Sequence, residues 1–265
     1  TSADVLYLDD AEVNSEGLNK GLKAKLYFTD GTSKEAMISK ISLEDAGTNK
    51  LVEYDVVTGD TTVSTELKVV KGDTAFGDDS SNPGKTIGTN KLVNALYTFT
   101  TDDGDYEIKV IANDNKAGYK GYATLGTTNA YNNKTLAYTH LNGTSSTGTM
   151  KIADNAVLFV EGKDGTKVLS GSTVNAWGDT KYTLTSGVAM YSESNGFKYA
   201  QVGALVMDTE IPTASGDIAY GYVTAEPYLT KEGSTNYIQY TLWTADGEKV
   251  VREKVSSTAI EKGTL

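Results

Sequence analysis

The chain has 265 residues, room for one large or two to three small domains at roughly 100–200 residues each, and its 38% hydrophobic and 22% charged content is that of a folded globular protein. No apolar run nears the ~20 residues of a spanning helix, so membrane insertion is not expected; the 24 Lys+Arg against 35 Asp+Glu leave a formal charge of −11 that repels phosphate backbones, so no nucleic-acid partner is expected either. With no cysteine and His140 as the single histidine, thiolate chemistry, disulfides and an imidazole-pair zinc site are excluded.

Taken in chain order, apolar residues recur with period two in short runs bounded by Gly, Asn and Asp, the pattern of half-buried strands joined by tight turns. Lys23–Phe28 and Glu35–Ile38 flank Asp30-Gly31, a pair suited to a two-residue hairpin turn with positive φ. Strands continue through Leu51–Val57 and Leu67–Val70. Ala95–Phe99 and Tyr106–Val110 flank Asp103-Gly104, and Val157–Val160 and Lys167–Leu169 flank Asp164-Gly165. A single helical turn is read at Ser172–Trp177, and the irregular spacing of Thr89–Leu96 supports no long helix. Met190–Ser192 and Tyr199–Val202 flank Asn195-Gly196, and Tyr237–Trp243 and Lys249–Val251 flank Asp246-Gly247. The fold class is therefore all-β: tandem small β-sandwich or barrel-like domains made of hairpins, with little helix.

The two ends of the chain share a layout. Tyr7–Val13, a spacer with Glu16-Gly17, Leu26–Gly31 and Ser39–Ser42 are matched by Tyr222–Pro227, a spacer with Glu232-Gly233, Thr241–Gly247 and Glu253–Ser256. This layout divides the chain into a β-domain at 1–115, a second β-domain at 116–216 and a partial repeat of the first at 217–265. The partial repeat has open strand edges, which are expected to pack on the preceding domains or to accept a strand from another subunit.

Reactive chemistry finds little footing. Gly77–Thr86 ends like a phosphate-binding loop, but Asp79 stands where the first glycine of GxxxxGK[ST] belongs. His140 has no serine on a G-x-S-x-G elbow to serve. The adjacent acids Asp9-Asp10, Glu44-Asp45, Asp78-Asp79 and Asp102-Asp103 lie at turns rather than across a cleft, so neither a catalytic residue nor a cofactor is assigned and no enzyme is expected. Calcium is the one ion with plausible hard-oxygen clusters, at Asp73, Asp78, Asp79 and Asn82 or at Asp102, Asp103 and Asp105; no metal ligand is singled out. Of the two tryptophans, Trp243 is expected to be a cross-strand core residue and Trp177 the freer candidate for stacking on a sugar ring. Asn133-Lys134-Thr135 and Asn142-Gly143-Thr144 are glycan sequons, which matter only in a host that glycosylates them.

Asn155–Gly162, Gly165–Gly171 and Asn175–Trp177, together with Ala189–Tyr191, Asn195–Phe197, Ala204–Met207 and Tyr220–Thr224, resemble the distal repeats of Gram-positive surface-layer proteins, those anchored by S-layer homology domains. The resemblance spans most of the chain and rests on hairpin signatures. It implies an exported structural module displayed on the bacterial cell surface, joined to copies of itself in a lattice or filament and in contact with cell-wall polysaccharide. One arginine, Arg252, and 17 tyrosines fit the composition of such secreted β-proteins. The opening Thr1–Asp4 reads as a mature or trimmed form. The alternative expectation is a carbohydrate-binding or adhesin module of a surface protein.

Overall fold

Ring closure of a five-stranded sheet organises the first part of the chain. The computed structural model describes residues 3–14, 21–45, 47–58, 67–70, 84–213, 221–244 and 247–255. Its first strands are β1 (Val5–Asn14), β2 (Gly21–Phe28), β3 (Ser33–Asp45), β4 (Lys50–Thr58), β5 (Leu67–Val70), the short pair β6 (Thr86–Ile87) and β7 (Asn90–Lys91), β8 (Ala95–Asp102) and β9 (Asp105–Val110). β1, β2 and β3 make an antiparallel meander. The β8–β9 hairpin bridges its two edges: β8 runs antiparallel to β1, with Leu6 opposite Tyr97, and β9 runs parallel to β3, with Ile41 opposite Ile108. Since β3 also pairs with β2, the order β2-β1-β8-β9-β3 closes on itself and leaves no edge within the ring. β4 and β5 extend outward from β3.

Alternation fills this barrel. In Leu22-Lys23-Ala24-Lys25-Leu26 the leucines and Ala24 turn inward and are buried, while the lysines turn out. With Leu6, Leu8, Ile41 and Tyr97 they form a continuous core, each leucine side chain contributing about 1.5–3 kcal/mol of burial.

The next stretch builds the same ring from different residues. β10 (Gly121–Leu125), β11 (Tyr131–Asn132), β12 (Thr135–Leu141), β13 (Thr144–Gly162), β14 (Gly165–Ser170), the five-residue α1 (Gly171–Asn175), β15 (Lys181–Tyr182), β16 (Leu184–Ser194) and β17 (Phe197–Met207) follow. β10, β12 and β13 form the meander. The β16–β17 hairpin lies antiparallel to β10, with Ala123 opposite Ala189, and parallel to β13, with Phe159 opposite Ala204. The β12–β13 pairing closes the ring, and β14 extends β13 as β4 extends β3. Two barrels of one topology thus stand in tandem. The single helical turn lies where the sequence places it, with Ser170 Oγ accepting from Thr173 N at 3.2 Å.

The chain divides into two units, Thr1–Ser215 and Gly216–Leu265, and the second carries β18 (Gly221–Val223), β19 (Tyr228–Glu232), β20 (Thr235–Thr244) and β21 (Gly247–Lys254). β18 and β19 pair with successive halves of β20, Val223 opposite Leu242 and Leu229 opposite Ile238, and β21 pairs with the other side, Tyr240 opposite Val251. Residues 224–227 interrupt this composite strand where β1 has its register irregularity between Leu8 and Asp10. In register, Val223–Leu242 corresponds to Leu8–Leu26 and Tyr222–Trp243 to Tyr7–Tyr27. Among the described residues this sheet has the meander and no bridging hairpin, and its core is small: Val223, Ile238 and Tyr240 with Leu242 against them. Of the described residues, 70% are in strands and 2% in helix, so the fold is all-β.

The turn chemistry holds with three adjustments. Asp103-Gly104 (φ 49° and 86°) and Asn195-Gly196 (φ 51° and 78°) are left-handed at both positions, as a two-residue hairpin demands, and Asn142-Gly143 (φ 50° and 79°) joins them. The Asp30-Gly31 loop is longer than two residues and only Gly31 is left-handed. Asp30 stays in the ordinary region because its carboxylate accepts from Thr32 N at 2.9 Å and Thr32 Oγ1 at 2.6 Å. The β13–β14 loop is Lys163-Asp164, one residue earlier than expected, and Asp164 is drawn away to accept from Ile211 N at 2.8 Å. Gly247, expected in the turn, instead opens β21 opposite Thr244, while Asp246, Glu16-Gly17 and Ser256 lie outside the described residues.

Each unit contains one tryptophan, so urea unfolding of Trp243→Phe and Trp177→Phe backgrounds reports the units separately. Leu26→Ala should cost the first unit about 2–5 kcal/mol. Leu242→Ala, at the same register position but only partly buried, should cost the second unit less than about 2 kcal/mol. Equal losses would mean that the third sheet is closed like the first.

Candidate functional site

The residues with chemical potential are dispersed. His140 is exposed on β12, its Nδ1 2.9 Å from Thr139 Oγ1. Lys85 is ion-paired with Asp10, and Thr86–Ile87 forms a small ladder with Asn90–Lys91 rather than the start of a helix. Gly77–Pro83, with Asp78, Asp79 and Asn82, and likewise Asp73, lie outside the described residues. Asp102, Asp103 and Asp105 sit at the tip of the β8–β9 hairpin, and among the described residues no three acidic or imidazole groups converge as a metal site. Glu12 and Glu35 share a shallow depression, but Lys23 lies 3.7 Å from one and 3.0 Å from the other. That cation, its own pKa raised mainly by Glu35, makes the carboxylates an exposed ion-pair group rather than an acid/base couple. Asp45 caps Gly47 N at 2.8 Å. Of the sequon asparagines, Asn142 accepts from Tyr122 N at 3.1 Å and Asn133 is in a left-handed turn at φ 43°.

What the structure does bring together is a seam between the two barrels, inside the first unit. Val5–Leu8 is a run of four buried residues in β1. Leu6 and Leu8 face the first barrel's core, and Val5 and Tyr7 face the second barrel. Burial on both faces explains why the run does not alternate. Tyr7 stacks on Phe159 of β13, ring centroids 5.6 Å and planes 16° apart, and Val5 and Leu96 pack with Tyr122, Met190 and Val202.

A polar cluster sits on that apolar contact. Tyr7 Oη donates to Glu161 Oε2 at 2.6 Å. The Asn94 amide, oriented with its nitrogen inward, donates to the same oxygen at 2.7 Å and to the Asp9 carbonyl at 3.2 Å. Thr166 Oγ1 donates to Asp9 Oδ1 at 2.6 Å. The connecting segment is also tied down: Asn115 Nδ2 donates to Thr98 Oγ1 at 2.9 Å and to the Val110 carbonyl at 3.0 Å, and Ile111 and Ala117 are buried in the seam. Burial raises the Glu161 carboxyl above its ordinary range, with Asp9 adding to the shift and the Tyr7 bond and Lys91 opposing it. The Tyr7 hydroxyl is pushed far above the usual phenol range, first by burial and then by Glu161.

The second feature is the outward face of the third sheet. Parity along β20 sends Ile238, Tyr240 and Leu242 inward and Trp243 outward, where it is 60% exposed opposite the exposed Tyr222; Tyr228 is exposed on the same face. The tryptophans thus exchange the roles expected of them. Trp177 is 3% exposed, held edge-on by Tyr131 at 5.2 Å and Tyr182 at 5.6 Å, because the α1 turn folds it back onto the second barrel's core. The sequence signal for Trp243 lay in its parity against Tyr240 and Leu242; proximity to apolar neighbours alone points the wrong way. Comparison with protein-family models, with curated proteins and with solved structures returned no match.

Glu161 supplies a pH test of the seam. Its folded pKa is raised, so its stabilising contribution is full below the ordinary glutamate range and is lost as pH rises through the raised value. Glu161→Gln keeps an acceptor for Tyr7 and does not titrate. The stability of the variant minus that of the wild type should therefore climb as the pH rises from the ordinary glutamate range through the raised value, and level off above it. Parallel profiles would mean that the carboxyl is solvated and the seam does not bury it.

Proposed function

We propose that this protein is a non-catalytic structural module of a bacterial cell surface, exported and assembled with copies of itself into a lattice or filament in the manner of a surface-layer subunit. The observation that carries the reading is the repetition of one barrel topology, complete at Val5–Val110 and Gly121–Met207 and begun again at Gly221–Lys254. Tandem domains locked by an apolar seam and a hydrogen-bonded cluster suit a protein that transmits shape and load. A third sheet with exposed apolar side chains gives such a module a means of joining others. Extracellular placement rests on the resemblance of the hairpin segments to surface-layer repeats and on the Tyr-rich, Arg-poor, cysteine-free composition.

A second reading draws on one specific observation. Tyr222, Trp243 and Tyr228 on one face are the kind of aromatic platform on which sugar rings stack, as a carbohydrate-binding or adhesin module would use for cell-wall polysaccharide. The register favours protein as the ligand, since Tyr7 and Tyr27, at the equivalent positions, belong to the seam between barrels.

Negative-stain imaging of concentrated protein, with and without calcium, separates the readings. Ordered sheets or fibres are expected, and dependence on calcium would give that ion a role at the assembly contacts. Protein that stays dispersed at high concentration while cell-wall polysaccharide shifts Trp243 fluorescence would replace assembly by carbohydrate binding.

A further inference from the structure

One irregularity in β1 decides which groups meet at the seam. The register of β1 on β2 slips between Leu8 and Asp10, so Asp9 is an extra residue and two consecutive acids leave the barrel interior, to which Ala11 returns. The acids go to different partners. Asp10 is ion-paired with Lys85 of its own barrel, whereas Asp9 reaches across to the second barrel, where Thr166 Oγ1 of β14 donates to it at 2.6 Å. On the neighbouring strand β13 stands Glu161, whose carboxyl comes within hydrogen-bonding reach of the Asp9 carboxyl. Each barrel thus contributes one acid to the same spot.

The surroundings do not neutralise two anions there. The hydrogen bonds come from neutral donors: Thr166 to Asp9, and Tyr7 Oη at 2.6 Å and the Asn94 amide at 2.7 Å to Glu161. Among the described residues the titratable and charged groups facing the pair are Tyr7 on β1, Tyr27 on β2 and Lys91 on β7. Both phenols hold their protons more firmly than usual, through burial first and the two acids after it, so Lys91 is one positive charge, acting through space, against two negative ones. Two carboxyls so placed retain one proton over a range in which isolated acids have lost theirs, and the titration belongs to the pair. That proton lies between oxygens of different barrels and adds a hydrogen bond across the seam; without it, two carboxylates repel each other there. Each barrel has a core of its own besides the seam, so the seam can change while both interiors stay packed.

We propose that Asp9 and Glu161 form a proton-operated clasp between the two barrels: sharing one proton they hold the polar side of the seam closed, and with both ionised they push it open, so that the barrels turn relative to one another about the connecting segment 111–120 without either unfolding. The tandem is then rigid in acid and jointed as the pH rises, the proton passing to solvent. The clasp needs no ligand and no assembly, so it goes beyond the surface-layer reading and does not rest on it.

The test measures residual dipolar couplings of both barrels in the dispersed, isotope-labelled 265-residue chain, below and above the titration of Glu161, which the carbon shift of its carboxyl locates in the same sample. Below it, one alignment tensor should fit both barrels. Above it the common fit should be lost and the Tyr7–Phe159 ring NOE should weaken, while the couplings within each barrel still match its own strand pairing. Glu161→Gln has no proton to lose and Asp9→Asn no charge to repel, so each should keep the common tensor across the same range. Asp10→Asn, next in sequence but paired with Lys85, should behave as the wild type. Three results would overturn the proposal: a common tensor in the wild type on both sides of the titration; separation that persists in Glu161→Gln and in Asp9→Asn, which would give the transition to another group; or loss of the couplings within one barrel, which would make the transition unfolding. Ordered assemblies from a protein whose barrels never separate would keep the lattice and remove the clasp; a clasp in a protein that never assembles would do the reverse.

Discussion

Backbone N–H and C=O groups along a strand must be paired or solvated, and a five-stranded sheet pairs all of them only by closing. That constraint explains the long β3 and β13. Each belongs first to a hairpin and then bends to run parallel to the last strand of its ring, so that one strand serves both meander and closure. It also explains why a single hairpin decides whether a copy of this unit is finished. In the first ring, which the β8–β9 hairpin closes, Leu6, Leu22, Leu26 and Ile41 are sealed; in the third sheet, which has no such hairpin among the described residues, Leu229 and Val251 are exposed.

The seam shows how the outer surface of a closed barrel is used. Tyr7 sends its ring to Phe159 and its hydroxyl to Glu161, joining residues more than 150 positions apart. A neutral phenol is kept beside a part-buried carboxylate whose ionised form burial disfavours, next to the apolar contact of Tyr7 with Phe159. The two barrels therefore depend on each other at one point where polar and apolar contacts are superposed. At the equivalent register positions the third sheet carries Tyr222 and Trp243, large, aromatic and exposed.

Local chemistry was readable in the sequence and non-local pairing was not. Asp103-Gly104 and Asn195-Gly196 announce their hairpins because positive φ at both positions restricts the residue types, and the Tyr7/Tyr222 correspondence survives because the flanking spacing is preserved. The equivalence of the second barrel is silent: its interior uses Ala123, Leu136 and Met150 where the first uses Leu8, Leu22 and Ile38, and only pairing partners reveal it. The parallel contacts of β3 with β9 and β13 with β17 leave no local mark, since any alternating strand accepts either direction. The seam was equally hidden, for Val5–Leu8 reads as one short apolar run until its two faces are assigned to two different cores. Trp243 and Trp177 show the same limit: the side a residue faces follows from register, and register is set by partners far away in the chain.

Hydrogen exchange on the dispersed 265-residue chain tests the closure account most directly. Amides of β3 and β13 that bond to β9 and β17 are expected to exchange as slowly as the amides that pair β1 with β2 and β12 with β13. Exchange of the β3–β9 and β13–β17 amides as fast as that of exposed loops would show that the two rings do not close and would contradict the account.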